Sequence, residues 1–297
     1  MYSEKVLCFG PQRESVGVLT EPRSYGAFSK TCVLFVNSGI ISRVGVSRLQ
    51  VDLARKLAGL SYLSYRFDLS GLGDSGTRVR ATSEEGSALS CDRGEFMEGT
   101  TVPSLHVLDV KEVMDELSEY TGARDFVLYG LCSGADLGIE VALRDKRVSR
   151  LIQIDGYTYG NHKAKFKYFS SRIWKISAYK KLLARSIDGS LWRRQDSRAM
   201  GALDRVIPAK DKYIAKLEVL MQRNLGLCHI ITGSDVNTQY ERQFQDCFSQ
   251  VDFGSNLKVC YLKKARHILS DLNHHTEVAD IVLGWMGQKR EKELGLA

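Results

Sequence analysis

The sequence predicts an α/β fold in which a mostly parallel sheet is flanked by helices. Short apolar runs alternate along the chain with stretches of helical period, and this alternation is typical of strands connected by helices. The 297 residues are 43% hydrophobic and 26% charged, which are ordinary globular values and exclude a disordered or fibrous chain. This length allows two domains, or one large α/β domain that carries an insertion.

The apolar runs predict an opening hairpin and six further strands. The hairpin joins 6–9 to 16–20 across the turn sequence GPQRES. The run TCVLFV is almost wholly apolar, which is typical of a strand buried on both faces. The six strands after the hairpin are predicted at 31–36, 61–66, 125–129, 150–154, 229–232 and 257–262.

Helices are predicted between these strands from the spacing of apolar residues. The last helix shows the pattern most clearly, because Val278, Ile281, Val282 and Trp285 stand at i, i+3, i+4 and i+7. The first helix places Val46, Leu49, Leu53 and Leu57 on one face, and two more helices are predicted at 104–120 and 134–144. Residues 78–103 are polar and rich in glycine, which predicts a long surface loop.

One stretch breaks this rhythm and predicts a helical cap inserted over the carboxyl edge of the sheet. Residues 156–223 contain 16 Lys and Arg against 5 Asp and Glu, a balance of +11, with aromatic residues interleaved. The whole chain carries +7, which leaves −4 on the remainder. We therefore expect an α/β core at 1–155 and 224–297 and a basic helical cap at 156–223.

The motif that carries chemistry is Gly130-Leu131-Cys132-Ser133-Gly134. It follows an apolar strand, opens a helix, and has the G-x-S-x-G pattern of a nucleophile elbow with cysteine at the central position. Side chains two residues before and after the nucleophile would collide with neighbouring backbone, and the two glycines remove them. If Ser133 were the nucleophile, Leu131 would stand at the first of these positions and fit poorly. The spacing therefore favours Cys132, with a structural cysteine as the alternative.

The other parts of an acyl-transfer site are predicted at strand ends. The turn Asn37-Ser38-Gly39-Ile40 follows a central strand, so the backbone N–H groups of Ile40 and Ser133 are candidates for an oxyanion hole. Asp235 follows a late strand and could orient a histidine, with Asp155 as the alternative acid. His267 follows the next strand and is the favoured histidine over its neighbours His274 and His275.

The chain resembles the α/β-hydrolase superfamily over most of its length, apart from the insertion. The segments VNSGIISRVGVSRLQVDLARKLA, SYRFDLSGLGDSG and YGLCSGAD resemble bacterial α/β-hydrolases of exosortase and polysaccharide gene clusters. The cysteine elbow is also similar to those of dienelactone hydrolases and polyhydroxyalkanoate synthases. The resemblance implies a Cys132–His267–Asp235 triad, in the order expected of these hydrolases, and no cofactor. It does not fix a substrate, because this fold hosts many chemistries.

Other features bear on location and on metal binding. The seven cysteines include no C-x-x-C pair, the first residues lack a signal pattern, and no apolar run could span a membrane, so we expect a cytoplasmic chain. Asp68 and Asp74 stand among glycines, which favours a turn-stabilising role over a metal site. No cluster of His and Cys has zinc spacing.

Three classes of function remain open from the sequence. The first is an acyl-transfer enzyme acting on a thioester or ester, with coenzyme A or an acyl carrier protein as a candidate partner of the basic cap. The second is a non-catalytic binding or scaffold protein that keeps the fold. The third, nucleic-acid binding by the basic cap, is not expected, because the sequence contains no known nucleic-acid motif.

Overall fold

An eight-stranded sheet forms the centre of the molecule in the computed structural model, which describes residues 1–10, 13–23, 30–77, 96–173, 205–235 and 237–293. The strand order across the sheet is β1-β2-β4-β3-β5-β6-β7-β8. β1 and β2 pair antiparallel, β2 pairs antiparallel with β4, and all later pairs are parallel. The strands are β1 (Tyr2–Phe9), β2 (Ser15–Pro22), β3 (Thr31–Phe35), β4 (Leu63–Phe67), β5 (Asp125–Leu131), β6 (Val148–Ile154), β7 (Gly226–Thr232) and β8 (Leu257–Leu262).

Helices cover both faces of this sheet. They are α1 (Leu49–Gly59), α2 (Ser104–Thr121), α3 (Ser133–Arg144), α4 (His162–Ile173), α5 (Lys210–Gln222), α6 (Gln243–Cys247) and α7 (Leu272–Glu293). Alternate residues of β3 point into different cores: Val33 and Phe35 pack with α1 and α7, whereas Cys32 and Leu34 pack with α2, α3 and α5. The mostly parallel sheet with helices on both faces confirms the predicted fold class.

The predicted hairpin, six strands and four helices are all present, with small shifts at their ends. The first helix begins later than its apolar pattern suggests. A 3-10 turn occupies Val46–Arg48, and positive φ angles of 44° at Ser47 and 70° at Arg48 separate it from α1. The predicted loop at 78–103 lies outside the described residues as far as residue 95.

The stretch assigned to the cap contains two described helices with different surroundings. α4 carries exposed residues such as Lys165 and Phe166, whereas α5 buries Tyr213, Leu217 and Leu220 in the core that α2 and α3 share. Residues 174–204, which hold much of the basic charge, lie outside the described residues. The boundaries 156–223 thus include one helix that packs as part of the core.

Within the described ranges, no helix combines the length and the apolar character needed to cross a lipid bilayer.

Candidate active site

The turn between β5 and α3 holds Cys132 in a strained conformation. Cys132 has φ 53° and ψ −116°, and its N–H donates to the carbonyl oxygen of Ile154 at the end of β6 (2.8 Å). A Cβ on Gly130 would lie 2.2 Å from the backbone carbon of Gly134, and one on Gly134 would lie 2.5 Å from the carbonyl oxygen of Asn37. The steric reason for both glycines is therefore present, and Cys132 occupies the central position of the elbow.

The close approach at Gly130 leads to a stability prediction. Gly130→Ala should lower the free energy of unfolding by roughly 1–3 kcal/mol or more, because backbone rather than a flexible side chain meets the added methyl group. The matched control is Gly284→Ala in α7, where nothing lies within 4 Å and alanine should stabilise by about 0.5–1 kcal/mol. Urea denaturation measures both, and equal effects would contradict the steric reading.

The loop after β3 faces the elbow and offers two N–H groups. Ser38–Ile41 form a turn closed by the Ile41 N–H and the Ser38 carbonyl (3.0 Å), and the Gly39 N–H donates to the Ser133 hydroxyl (2.8 Å). The turn's own hydrogen bond does not use the N–H of Ile40. Ser133 begins α3, so its N–H has no acceptor within the helix. The role of both groups in an oxyanion hole stays a prediction.

A buried carboxylate, Asp68, holds this loop in place. Its oxygens accept hydrogen bonds from the Asn37 amide (2.9 Å) and the Arg43 N–H (2.6 Å), and it also pairs with the Arg43 guanidinium. A Cβ on Gly73 would lie 2.2 Å from this carboxylate. Asp74 forms a second ion pair with Arg43, in which its Oδ2 lies 2.5 Å from Nη2 of the guanidinium. In the described ranges, no group of three or more His, Cys, Asp or Glu is placed to hold a metal ion.

His267 connects the elbow to a buried acid. Its Nδ1 donates to Oδ2 of Asp155 at 2.6 Å. This hydrogen bond, followed by the nearby Cys132 side chain, raises the pKa of His267 to about 10, against the opposing effect of burial. The neighbouring histidines are engaged elsewhere: His274 lies 3.9 Å from Asp271, and His275 contacts the carbonyl oxygen of Leu269 at 2.5 Å.

Asp235, the acid that the sequence analysis favours, is hydrogen-bonded to residues of its own turn. Its carboxylate accepts hydrogen bonds from the Asn237 N–H (3.1 Å) and the Thr238 hydroxyl (2.6 Å). The acid hydrogen-bonded to His267 is the alternative, Asp155, which is only 4% exposed. The structure therefore brings His267 to Asp155 at the end of β6, while the Asp235 carboxylate is hydrogen-bonded within its own turn, and the role of either residue as a catalytic acid stays a prediction.

Asp155 is fixed by contacts that the sequence analysis did not anticipate. The Thr232 N–H donates to Oδ1 (2.7 Å) and the Thr232 hydroxyl donates to Oδ2 (2.8 Å). Its own N–H donates to the carbonyl oxygen of Ile230 (2.9 Å), and its φ is 49°. These bonds orient the carboxylate towards His267, and the positive φ, which is strained for a residue other than glycine, is the kind of outlier that accompanies functional sites.

The raised pKa of His267 predicts how this contact depends on pH. Because the ring titrates near 6.5 when unfolded and near 10 when folded, its contribution to stability is complete below about pH 6.5 and is lost as the pH rises to 10. The difference in unfolding free energy between the wild type and His267→Gln should therefore shrink over this range. The same comparison in an Asp155→Asn background should be much flatter. A pH-independent difference in the wild-type background would contradict the pairing.

A cavity of about 110 Å³ opens beside His267, between the segments that follow β6 and β7. Thr158, Ser234 and Asn237 contribute polar groups to its lining, and Asp235 lies at its wall. It lies on the opposite side of the elbow from the oxyanion loop, since β3 and β7 stand on opposite sides of β5 in the sheet. A substrate whose carbonyl oxygen faces Ile40 could thus extend past His267 into this space.

Comparison with solved structures identifies the fold. A proline iminopeptidase of Mycobacterium smegmatis superposes with a TM-score of 0.57 at 13% identity, over 96% of this chain and 98% of that one. A cold-adapted esterase from an Arctic intertidal metagenomic library gives 0.54 at 12% identity, over 97% and 94%. An esterase of Pyrococcus furiosus gives 0.54 at 13%, over 96% and 91%. The chain therefore has the α/β-hydrolase fold.

Sequence comparison adds no closer relationship. No protein-family model matches the chain, and no curated protein sequence matches it significantly. At these identities the structural likeness establishes the fold and leaves the chemistry to the site itself.

Proposed function

We propose that the protein is an acyl-transfer enzyme that acts on esters or thioesters through a covalent intermediate on Cys132. The observation that carries this proposal is the position of His267, which is hydrogen-bonded to the buried carboxylate of Asp155 and lies close enough to the Cys132 side chain for that side chain to raise its pKa. A nucleophile, an imidazole and an orienting acid in this relation form the arrangement that moves a proton during acyl transfer. Asp155 takes the role in this triad that the sequence suggested for Asp235.

The reaction follows from these positions. The Cys132 sulfur attacks the substrate carbonyl as the thiolate while His267 holds the proton. A C–S bond forms, and the carbonyl oxygen becomes an oxyanion that faces the N–H groups of Ile40 and Ser133. When the tetrahedral intermediate collapses, the bond to the leaving group breaks and His267 gives it the proton. Water or another acceptor then transfers a proton to His267 and attacks the acyl carbon, which releases the Cys132 thiolate.

The residue types favour a thioester or activated ester with an apolar acyl group. A thiolate exchanges with a thioester at nearly equal energy, whereas an amine is a poorer leaving group. Large apolar side chains are exposed around the site: Ile40 is 85% exposed, Ile268 61% and Ile207 46%. They come from three separate segments, beside the oxyanion turn, beside His267 and beside the cavity, and they suit contact with an aliphatic chain.

The basic stretch supports an anionic carrier for the acyl group. Lys165 and Lys167 are exposed on α4, which follows β6 closely and so begins near the candidate site. Positive charge here suits the phosphates of coenzyme A or the acidic surface of an acyl carrier protein, and it would raise the association rate more than the rate of chemistry.

The proposal is tested by intact mass spectrometry. The wild-type protein is incubated with a panel of short- and long-chain acyl thioesters and esters. A mass increase of one acyl group per chain, located on Cys132 by peptide mapping, is the expected result. Absence of both the acyl adduct and turnover with the entire panel would contradict the proposal and favour a non-catalytic binding or scaffold protein.

Carrier recognition is tested by the dependence of kcat/KM on salt. The value for an acyl-coenzyme A should fall steeply as salt rises, while that for a small neutral thioester should stay flat. Lys165→Glu with Lys167→Glu should weaken this dependence. The control is Lys146→Glu with Lys258→Glu, the same charge change at exposed positions near the amino ends of the parallel strands. Equal effects of the two pairs would contradict a specific basic site.

A further inference from the structure

A buried ion pair connects the basic stretch to the elbow helix. Arg205 donates from Nε to Oδ2 of Asp136 (2.6 Å) and from Nη2 to Oδ1 (2.5 Å), so the two planar groups meet along two parallel hydrogen bonds. The Asp136 side chain is only 2% exposed. Asp136 stands in the first turn of α3, where its N–H donates to the carbonyl oxygen of Cys132 (3.2 Å). Arg205 is thus attached to the turn that carries the proposed nucleophile.

The same guanidinium also reaches the acid. Its remaining terminal nitrogen, Nη1, donates to the backbone carbonyl oxygen of Asp155 at 3.2 Å, and Cζ of Arg205 lies 4.8 Å from the centroid of the Tyr157 ring. Asp155 has a positive φ, so its backbone needs support from its neighbours to keep this conformation. Its N–H is held by Ile230 and its carbonyl by Arg205, one on each side of the residue.

We propose that Arg205 is a positioning residue for the acyl-transfer reaction, which fixes the Asp155 backbone relative to the Cys132 elbow through the Asp136 carboxylate. This inference rests on the proposed function. Arg205 reaches the reacting atoms through Asp136 and Asp155. Its guanidinium forms an ion pair with Asp136, which distinguishes Arg205 from the exposed lysines of the same stretch.

The expected effect is on kcat more than on KM. Arg205→Met leaves the Asp155 carbonyl without its donor and frees the turn to shift, and a displacement of about 1 Å at a reacting group can lower kcat about 100-fold. Arg205→Lys should recover part of this loss, because an ammonium can donate to both the Asp136 carboxylate and the Asp155 carbonyl oxygen. It cannot form the two parallel hydrogen bonds of the guanidinium. KM for the same thioester should change less than about threefold in both variants.

A double variant separates positioning from a merely structural role. Arg205→Met alone leaves a buried carboxylate unpaired, which is destabilising. Arg205→Met with Asp136→Asn removes both charges and should recover thermal stability, while kcat stays low because the Asp155 carbonyl still lacks its donor. Recovery of kcat together with stability would overturn the proposal.

The matched control is another buried pair on the same helix. Glu140 is 2% exposed and lies 2.5 Å from Lys216 of α5, one turn along α3 from Asp136 and without a bond to Asp155. Lys216→Met with Glu140→Gln is the corresponding double variant, which removes both charges of this pair, and it should leave kcat within about twofold. An equal loss of kcat in this control would also overturn the proposal.

One readout does not depend on turnover. The Nδ1 proton of His267, assigned by its absence in His267→Gln, should give a downfield NMR signal because of its hydrogen bond to Asp155. The Arg205→Met, Asp136→Asn variant should shift or lose this signal, whereas the Lys216 control should keep it. If the wild type forms no acyl-enzyme, the proposed function fails, and this signal alone decides whether Arg205 positions the acid; an unchanged signal would refute it.

Discussion

Cys132→Ala is expected to abolish both turnover and the acyl-enzyme, because Cys132 stands at the central position of the elbow, whereas the Ser133 hydroxyl accepts a hydrogen bond from the Gly39 N–H. Cys132→Ser keeps the shape but replaces the sulfur by an oxygen, and a serine hydroxyl is a weaker nucleophile than a cysteine side chain at neutral pH. Because the hydrogen bond to Asp155 remains and raises the pKa of His267, its ring holds a proton more tightly than a free imidazole and is a poorer base for serine. We expect this variant to lose most of its activity as well.

Ser133→Ala is the matched control for the choice of nucleophile. Its hydroxyl accepts the hydrogen bond from the Gly39 N–H, so its loss should loosen the oxyanion loop without removing a reacting atom. A hydrogen bond of about 1 kcal/mol corresponds to a fall in rate of about fivefold. Covalent labelling that survives in Cys132→Ala and disappears in Ser133→Ala would assign the nucleophile to Ser133.

Asp155→Asn is expected to lower kcat by about two to four orders of magnitude, the upper figure being the known cost of the same change in a serine protease triad. The amide can present its N–H to Nδ1 and favour the wrong tautomer. It also removes the largest influence that raises the pKa of His267, so the alkaline fall in kcat/KM should move from near pH 10 to lower pH.

Asp235→Asn provides the comparison. Its carboxylate accepts hydrogen bonds from Asn237 and Thr238, so the change should affect the turn and the cavity wall and leave kcat within a few fold. Steady-state kinetics over pH 5–11 measure both variants. If Asp235→Asn shows the large loss and Asp155→Asn does not, the acid belongs to the loop after β7.

The fold was largely predictable because its signals are local. Buried parallel strands are apolar runs, and the helices between them carry apolar residues at helical spacing, as Val278 and Val282 do on α7. α6 escaped prediction because its five residues are too few to show a period. The start of α1 was misplaced because the positive φ angles at Ser47 and Arg48 leave no signature in residue type.

The candidate site was predictable only where a short motif of consecutive residues forms it. The spacing of Gly130 and Gly134 around Cys132 marks the elbow because each glycine meets backbone. The choice between Asp155 and Asp235 is different, since both directly follow an apolar strand. It depends on where the loop after β8 places His267, and on Thr232 orienting one carboxylate, which are relations across three strands that no short motif contains.

Arg205 illustrates a further limit of sequence interpretation. In the sequence it is one of 16 basic residues in a stretch with a balance of +11, and nothing distinguishes it from a solvated lysine. Its partner Asp136 is visible four residues after Cys132, but a charge in the first turn of a helix is also a common helix-stabilising feature. The burial of Asp136 and the two parallel hydrogen bonds that Arg205 donates to it are what separate this pair from the rest.

The self-contained turn at Asp235 has a consequence for how this molecule can change. With Asp155 as the acid, Ser234, Asp235 and Asn237 need not supply a triad member, although they still form one wall of the cavity. We expect substitutions there to change the selectivity for leaving groups or acceptors without moving Cys132, His267 or Asp155. Laboratory evolution of new specificity should therefore begin with a library in this short segment, where variation is least costly to turnover.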